Sequence, residues 1–257
     1  MPIKVVAFDG DDTLWHNETH FNFTQAALRD LLRAHVPNAD VDARLFATEM
    51  ANLSLYGYGI KSFTLSMIET AVEITGGRIP ASDLKVILDW GKRMLREPTE
   101  LLDGVRETLL DVSRNHDLLL ITKGDLFDQE SKLARSGLAE RFSGVEILSD
   151  KNVETYKAVL SRRGIEAEEF VMVGNSLKSD VAPVVELGGR AVHIPYHVTW
   201  QHEQVDEGSV PREGWFRLER ITELSPLLGS LDGRPRRAVR HKLQSRPNRK
   251  SQRDRKT

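Results

Sequence analysis

The chain has 257 residues, 40% of them hydrophobic and 29% charged, a formal net charge of -2 and no cysteine. That length buries a real core in one large domain, or in one domain with a second inserted into it, and the missing cysteines exclude disulfides, thiol chemistry and thiolate metal sites. No stretch approaches the roughly 20 apolar residues of a membrane helix, and the opening MPIKVVAFDG lacks the apolar segment of a signal peptide, so the expected location is cytoplasmic.

The first predicted element is the apolar strand over residues 3–8, which runs straight into Asp9, Asp11 and Asp12. Three carboxylates at the mouth of a buried strand repel one another and resist desolvation, so a cation or a reaction must justify them. Residues 20–35, 42–59, 61–77 and 82–95 then show helical spacing, separated by turns at Pro37-Asn38, Gly57 to Gly59 and Gly76-Gly77. No strand interrupts them, which points to a helical module inserted after the first strand, where surface loops tolerate insertions.

From Asp103 to Pro195 the pattern alternates. Helices are expected over 104–115, 125–137, 153–164 and 179–189, and apolar strands over 117–122, 145–149, 169–174 and 190–195. Continuous apolar strands joined by helices imply a parallel sheet covered on both faces, an α/β fold of three layers. Beyond Pro195 the regularity fades into a polar stretch carrying Trp200, Trp215 and Phe216, expected to wrap the sheet edge and to end in a short strand-like WFRLERI. The expected organisation is a core of residues 1–14 and 99–200, a helical insertion over 15–98, an extension over 201–233 packing on the core, and a basic disordered tail over 234–257. Of the 36 Lys and Arg, 11 fall in that tail against a single acid, so the body before it is acidic. Such a tail has too few apolar residues to offset the entropy of ordering, and its contacts with nucleic acid would be nonspecific.

Four groups recur at the carboxyl ends of the strands: Asp9 to Thr13, Thr122 to Asp125, Lys151, and Gly174 to Asp180. In an open parallel sheet these ends converge on one crevice. Carboxylates there with a hydroxyl and an ammonium suit a magnesium ion and a phosphoryl group, because Mg²⁺ takes oxygen ligands and lysine neutralises phosphate.

In these stretches the chain resembles the haloacid dehalogenase-like hydrolase superfamily, mostly magnesium-dependent phosphatases with an aspartate nucleophile. VVAFDGDDTL matches its first motif, LLLIT the second, Lys151 takes the place of the third-motif lysine, and VMVGNSLKSD matches the fourth. The resemblance covers roughly residues 3–195 and implies a Rossmann-like core with a helical cap between the first and second motifs. It implies that Asp9 is the nucleophile and a metal ligand, and that Asp11 is the general acid and base, its backbone carbonyl facing the metal. It further implies that Thr122 and Lys151 hold the phosphate and that Asp180 and Asn175 bind Mg²⁺; Gly10 and, from its place beside Thr122, Lys123 are further candidates for phosphate contact. Asp12 stands where glycine is common and would add negative field to the metal site; Asn175 stands where many members carry aspartate. The KPxP usually found around the third-motif lysine is absent, which leaves Lys157 as the alternative to Lys151.

The implied function is hydrolysis of phosphate monoesters of a small metabolite through an aspartyl-phosphate. Asp11 favours phosphate over halide chemistry, since an alkoxide leaving group needs a proton and a halide does not. Two other functions remain open at this point, a mutase that passes the phosphoryl group on, and a noncatalytic nucleic-acid-associated protein using the tail. Lys61 and Arg93 are the polar candidates of the cap for substrate contact. Phe21, Phe23, Tyr56 and Tyr58 are expected in its core or on a substrate wall.

Overall fold

The computed structural model describes residues 2–233; the basic segment 234–257, expected to be disordered, lies outside the described residues. The first strand, β1 (Val5–Phe8), is flanked by β2 (Asp117–Lys123) and β4 (Phe170–Gly174). With β3 (Gly144–Leu148), β5 (Arg190–His193) and β6 (Trp215–Arg217) they form one parallel sheet in the order β3-β2-β1-β4-β5-β6. The chain winds first to one side of β1 and then to the other. The topological switch therefore falls between β1 and β4, and the crevice at their carboxyl ends is the place for a ligand.

Both faces of the sheet are covered, which is why its strands are unbroken apolar runs. Val6, Phe8, Leu118, Leu120, Val171 and Val173 pack on one side with α5 (Val105–Val112) and α9 (Leu224–Leu231). Val5, Ala7, Leu119, Ile121, Phe170 and Met172 pack on the other with α7 (Val153–Arg163) and α8 (Ala182–Glu186). Strand β6 extends the edge beside β5, so the stretch expected to wrap the edge joins the sheet itself over three residues. Helix α9 was not expected, because Pro226 and Gly229 break its helical signal.

Between β1 and β2 stand α1 (Glu18–Arg33), α2 (Val41–Tyr56), α3 (Ile60–Ile74) and α4 (Ala81–Met94), followed by α5 on the sheet. The first four have a separate core of their own, built on Leu28, Leu32, Leu45, Phe63, Met67 and Ile87. Two of the expected cap aromatics belong to neither core nor wall. Phe23 is 72% and Tyr56 52% exposed, the first on the outward side of the amphipathic α1 and the second at the last position of α2.

The junction between strand and insertion is tightly built. Asp12 has φ +61°, a left-handed conformation that aspartate tolerates better than most residues. Its carboxylate accepts the amides of Asn17 at 2.9 Å and Glu18 at 3.0 Å, capping the start of α1. Trp15 is fully buried against Gly10, where a Cβ would meet its ring at 2.6 Å.

Candidate active site

A cavity of about 150 Å³ opens between the carboxyl ends of the strands and the inserted helices. At its floor lie Asp9, 7% exposed, and Asp180, fully buried, each next to Lys151. Lys151 Nζ donates to Asp9 Oδ1 at 2.5 Å and to Asp180 Oδ1 at 2.8 Å. Lysine 151 reaches this point from the turn after β3, where the Asn152 side chain caps α7 in a reciprocal box with Thr155. The alternative, Lys157, is exposed on α7, away from the cavity.

Burial pushes the Asp9 carboxyl up to about 7, with Lys151 opposing and the charge of Asp180 reinforcing the rise. The same two carboxylates raise Lys151 despite its burial, so the ammonium is firmly charged. Asp180 holds its place through its other oxygen, which accepts the Ser176 amide at 3.0 Å. Gly174 has no room for a Cβ because the Asp180 carboxylate packs directly on it. Replacing Lys151 with Met would leave two buried carboxylates without a counter-charge. The expected cost is about 3–5 kcal/mol in a urea unfolding experiment; an unchanged midpoint would contradict this description of the floor.

Asp11 lies one turn away and is held by three donors. Trp15 Nε1 donates to Oδ1 at 2.7 Å, Gln129 Nε2 to Oδ2 at 2.9 Å, and Lys132 Nζ lies 2.9 and 3.1 Å from the two oxygens. Gln129 and Lys132 come from α6 (Leu126–Ser136), whose sequence reads as an ordinary amphipathic helix with a solvated polar face. Both are nevertheless buried, at 2% and 8% exposure. No motif flagged them. The only available signal was their spacing of three residues, which puts both on one helix face. Lys132 also contacts the Asn17 side chain at 2.8 Å, tying Asp11 to the start of α1.

The other expected residues fall in distinct places. Thr122 is buried at the end of β2, its hydroxyl 3.3 Å from Gln129 Oε1. Asn175 lines the cavity, and its side-chain oxygen receives only a long 3.4 Å contact from Thr13. Lys123 lines it too, but is paired at 2.5 Å with Glu203, which sequence reasoning missed in the irregular stretch beyond β5. Gly10 is not on the cavity wall; its carbonyl faces inward and accepts the Leu14 amide at 2.8 Å. Asp12 reaches the wall, but its carboxylate is spent on the α1 amides, and burial followed by the charge of Asp11 pushes it to about 7. Of the cap candidates, Phe21 and Tyr58 line the cavity, while Lys61 instead bridges to Asp125 at 2.9 Å and Arg93 lies elsewhere.

Among the described residues no three acidic, histidine or cysteine side chains converge as a metal cage. A metal at this floor would take oxygen from the Asp9 and Asp180 carboxylates, together with the neutral Asn175 amide and the Asp11 carbonyl. That set suits Mg²⁺, which completes its octahedron with waters and phosphate rather than with an all-protein cage. Asp180 accepts one hydrogen bond on each oxygen, from Lys151 and from the Ser176 amide.

Residues 3–188 match the haloacid dehalogenase-like hydrolases. A haloacid dehalogenase-like family hydrolase from Xanthomonas campestris is 39% identical and superposes with a TM-score of 0.80, over 90% of this chain and 92% of its own. A glyceraldehyde 3-phosphate phosphatase from Methanocaldococcus jannaschii is 27% identical over 207 residues, 75% of this chain and 85% of its own. A HAD-hydrolase from Bacillus subtilis, its structure described as bound to magnesium, shares the fold at 17% identity, with a TM-score of 0.61 over 89% of this chain and 99% of its own. With the parallel sheet, the inserted helices and the strand-end carboxylates in place, the chain belongs to the haloacid dehalogenase-like hydrolase family.

Proposed function

We propose that the protein is a magnesium-dependent phosphatase that hydrolyses phosphate monoesters of a small metabolite, with Asp9 as nucleophile. The observation that carries this reading is the shared floor of Asp9, Lys151 and Asp180, with Asp11, Thr122 and Asn175 on the same cavity. Asp9 Oδ attacks phosphorus and the ester oxygen leaves, so one P–O bond forms as another breaks. Lys151, anchored by Asp180, and Thr122 stabilise the charge spread over the equatorial oxygens. Asp11 gives a proton to the departing alkoxide and then takes one from the water that attacks the aspartyl-phosphate, releasing inorganic phosphate and restoring Asp9.

A bound Mg²⁺ would be held by Asp9, Asp180, Asn175 and the Asp11 carbonyl, and would supply positive charge that keeps Asp9 ionised and offsets the charge of the phosphoryl group. The inserted helices form the wall of the cavity opposite the strand ends, with Glu18, Phe21, Glu49 and Phe63. The cavity volume of about 150 Å³ suits a small molecule. The archaeal relative's activity makes glyceraldehyde 3-phosphate the first ester to try. In a phosphate-release assay over small phosphorylated metabolites, EDTA should abolish turnover and Mg²⁺ should restore it. Failure to release phosphate from every ester, including an aryl phosphate, would reject the proposal.

A further inference from the structure

The cavity wall is unevenly charged, and this bears on which esters fit. Three ammonium groups line it, all from the sheet side, and each already has a carboxylate. Lys151 lies between Asp9 and Asp180, and Lys132 between Asp11 and Asp128, the latter at 3.4 Å. Lys123 is held by Glu203, whose second oxygen accepts the hydroxyls of Ser176 and Ser179 at 2.6 Å each. Burial alone would raise Glu203, but Lys123 and the two hydroxyls outweigh it and bring the carboxyl down to about 2. Glu203 therefore stays ionised beside Lys123.

The helical side of the cavity supplies no cation. It presents Glu18, Gln25 and Glu49, with Phe21, Leu53 and Phe63 between them. The basic residues closest in sequence to this wall are engaged elsewhere, Arg29 with Asp42, Arg44 with Glu73 and Lys61 with Asp125. Neither Glu18 nor Glu49 has an ion-pair partner among the described residues. Burial, then the charges of Asp12 and Glu49, push Glu18 up to about 8, and burial pushes Glu49 to about 7. This wall is already short of positive charge before any ligand arrives.

We infer that the cavity selects phosphate monoesters whose leaving group carries no second anion, and takes a neutral hydroxylated group against Glu18, Gln25 and Glu49. The inference rests on the phosphatase reading above. A carboxylate or second phosphate in that position would find no free cation, and would face two carboxylates once the pH is high enough to ionise Glu18 and Glu49. Hydroxyls meet no such penalty. They donate to a carboxylate, accept from a protonated carboxyl or from the Gln25 amide, and leave the carbon skeleton to Phe21 and Phe63.

The test compares kcat/KM on the alkaline side of the Glu18 and Glu49 titrations for glycerol 3-phosphate and 3-phosphoglycerate, which differ only in a hydroxymethyl group against a carboxylate, with p-nitrophenyl phosphate as control. The neutral ester should be preferred on the order of 10²-fold. Glu49→Gln and, independently, Glu18→Gln should each narrow that ratio by raising turnover of the acid. Equal use of the two esters, or a ratio unmoved in both variants, overturns the inference while p-nitrophenyl phosphate hydrolysis upholds the phosphatase reading. Loss of hydrolysis of all three substrates by the native protein overturns that reading itself, and the inference with it.

Discussion

Replacing Asp9 with Asn is expected to abolish phosphate release entirely while leaving the fold intact. The amide keeps the shape of the carboxylate and an oxygen for Lys151, which stays paired with Asp180 at 2.8 Å. It removes one negative charge from a floor where Asp9 and Asp180 compete for a single ammonium, so the loss of the nucleophile is not accompanied by an orphaned buried charge. What disappears is the anionic oxygen that bonds to phosphorus. Circular dichroism and the unfolding midpoint should match the native protein, and steady-state phosphate release should be at background. A variant with substantial activity would mean that another group attacks.

The second large effect is expected at Asp11, and it is selective. In the structure its carboxylate is a pure acceptor of contacts from Trp15, Gln129 and Lys132, so to serve as an acid it must release at least one of them. Lys132, which also touches Asn17, links that release to the start of the helical insertion. Asn at this position cannot exchange a proton and presents an amide to two donors. Turnover of alkyl phosphates should fall by roughly 10²- to 10⁴-fold, the range attributed to general acid-base catalysis. An acyl or activated aryl phosphate, whose leaving group needs little protonation, should still phosphorylate Asp9. With no base to activate water, that intermediate should persist. Stopped-flow traces of p-nitrophenolate should show a burst near one equivalent followed by a slow phase. An equal loss on both ester classes with no burst would remove Asp11 from the proton-transfer role.

Much of the core was legible because its physics is local. Strands buried on both faces must be apolar throughout, and Val5 to Phe8, Leu118 to Ile121 and Phe170 to Val173 announce themselves in that way. The insertion was legible from four successive helical periods, with errors confined to a few residues at each end where caps decide. Asp9, Thr122, Lys151 and Asp180 stand at strand ends, so their meeting at one crevice follows from parallel topology. The rest depends on packing between distant segments. Lys132 and Gln129 look like surface polar residues of α6 until the helix is laid against the turn that carries Asp11. Glu203 sits in an irregular stretch and acquires its part only when that stretch folds over Lys123 and the two serines. Glu18 and Glu49, on α1 and α2, become one wall only through the insertion's own core. Asp12 is a different kind of miss: a third carboxylate beside a metal motif suggests added charge, whereas its left-handed backbone turns the side chain onto the amides of α1.

The central claim is that the first strand ends in a nucleophile. The most direct measurement is rapid-quench mass spectrometry of the native protein mixed with an activated aryl phosphate and Mg²⁺, mapping any phosphoryl adduct at the peptide level. An adduct is expected within residues 5–15, absent from Asp9→Asn and enriched in Asp11→Asn. An adduct on a serine or histidine elsewhere, or one that persists when Asp9 is replaced, would contradict it.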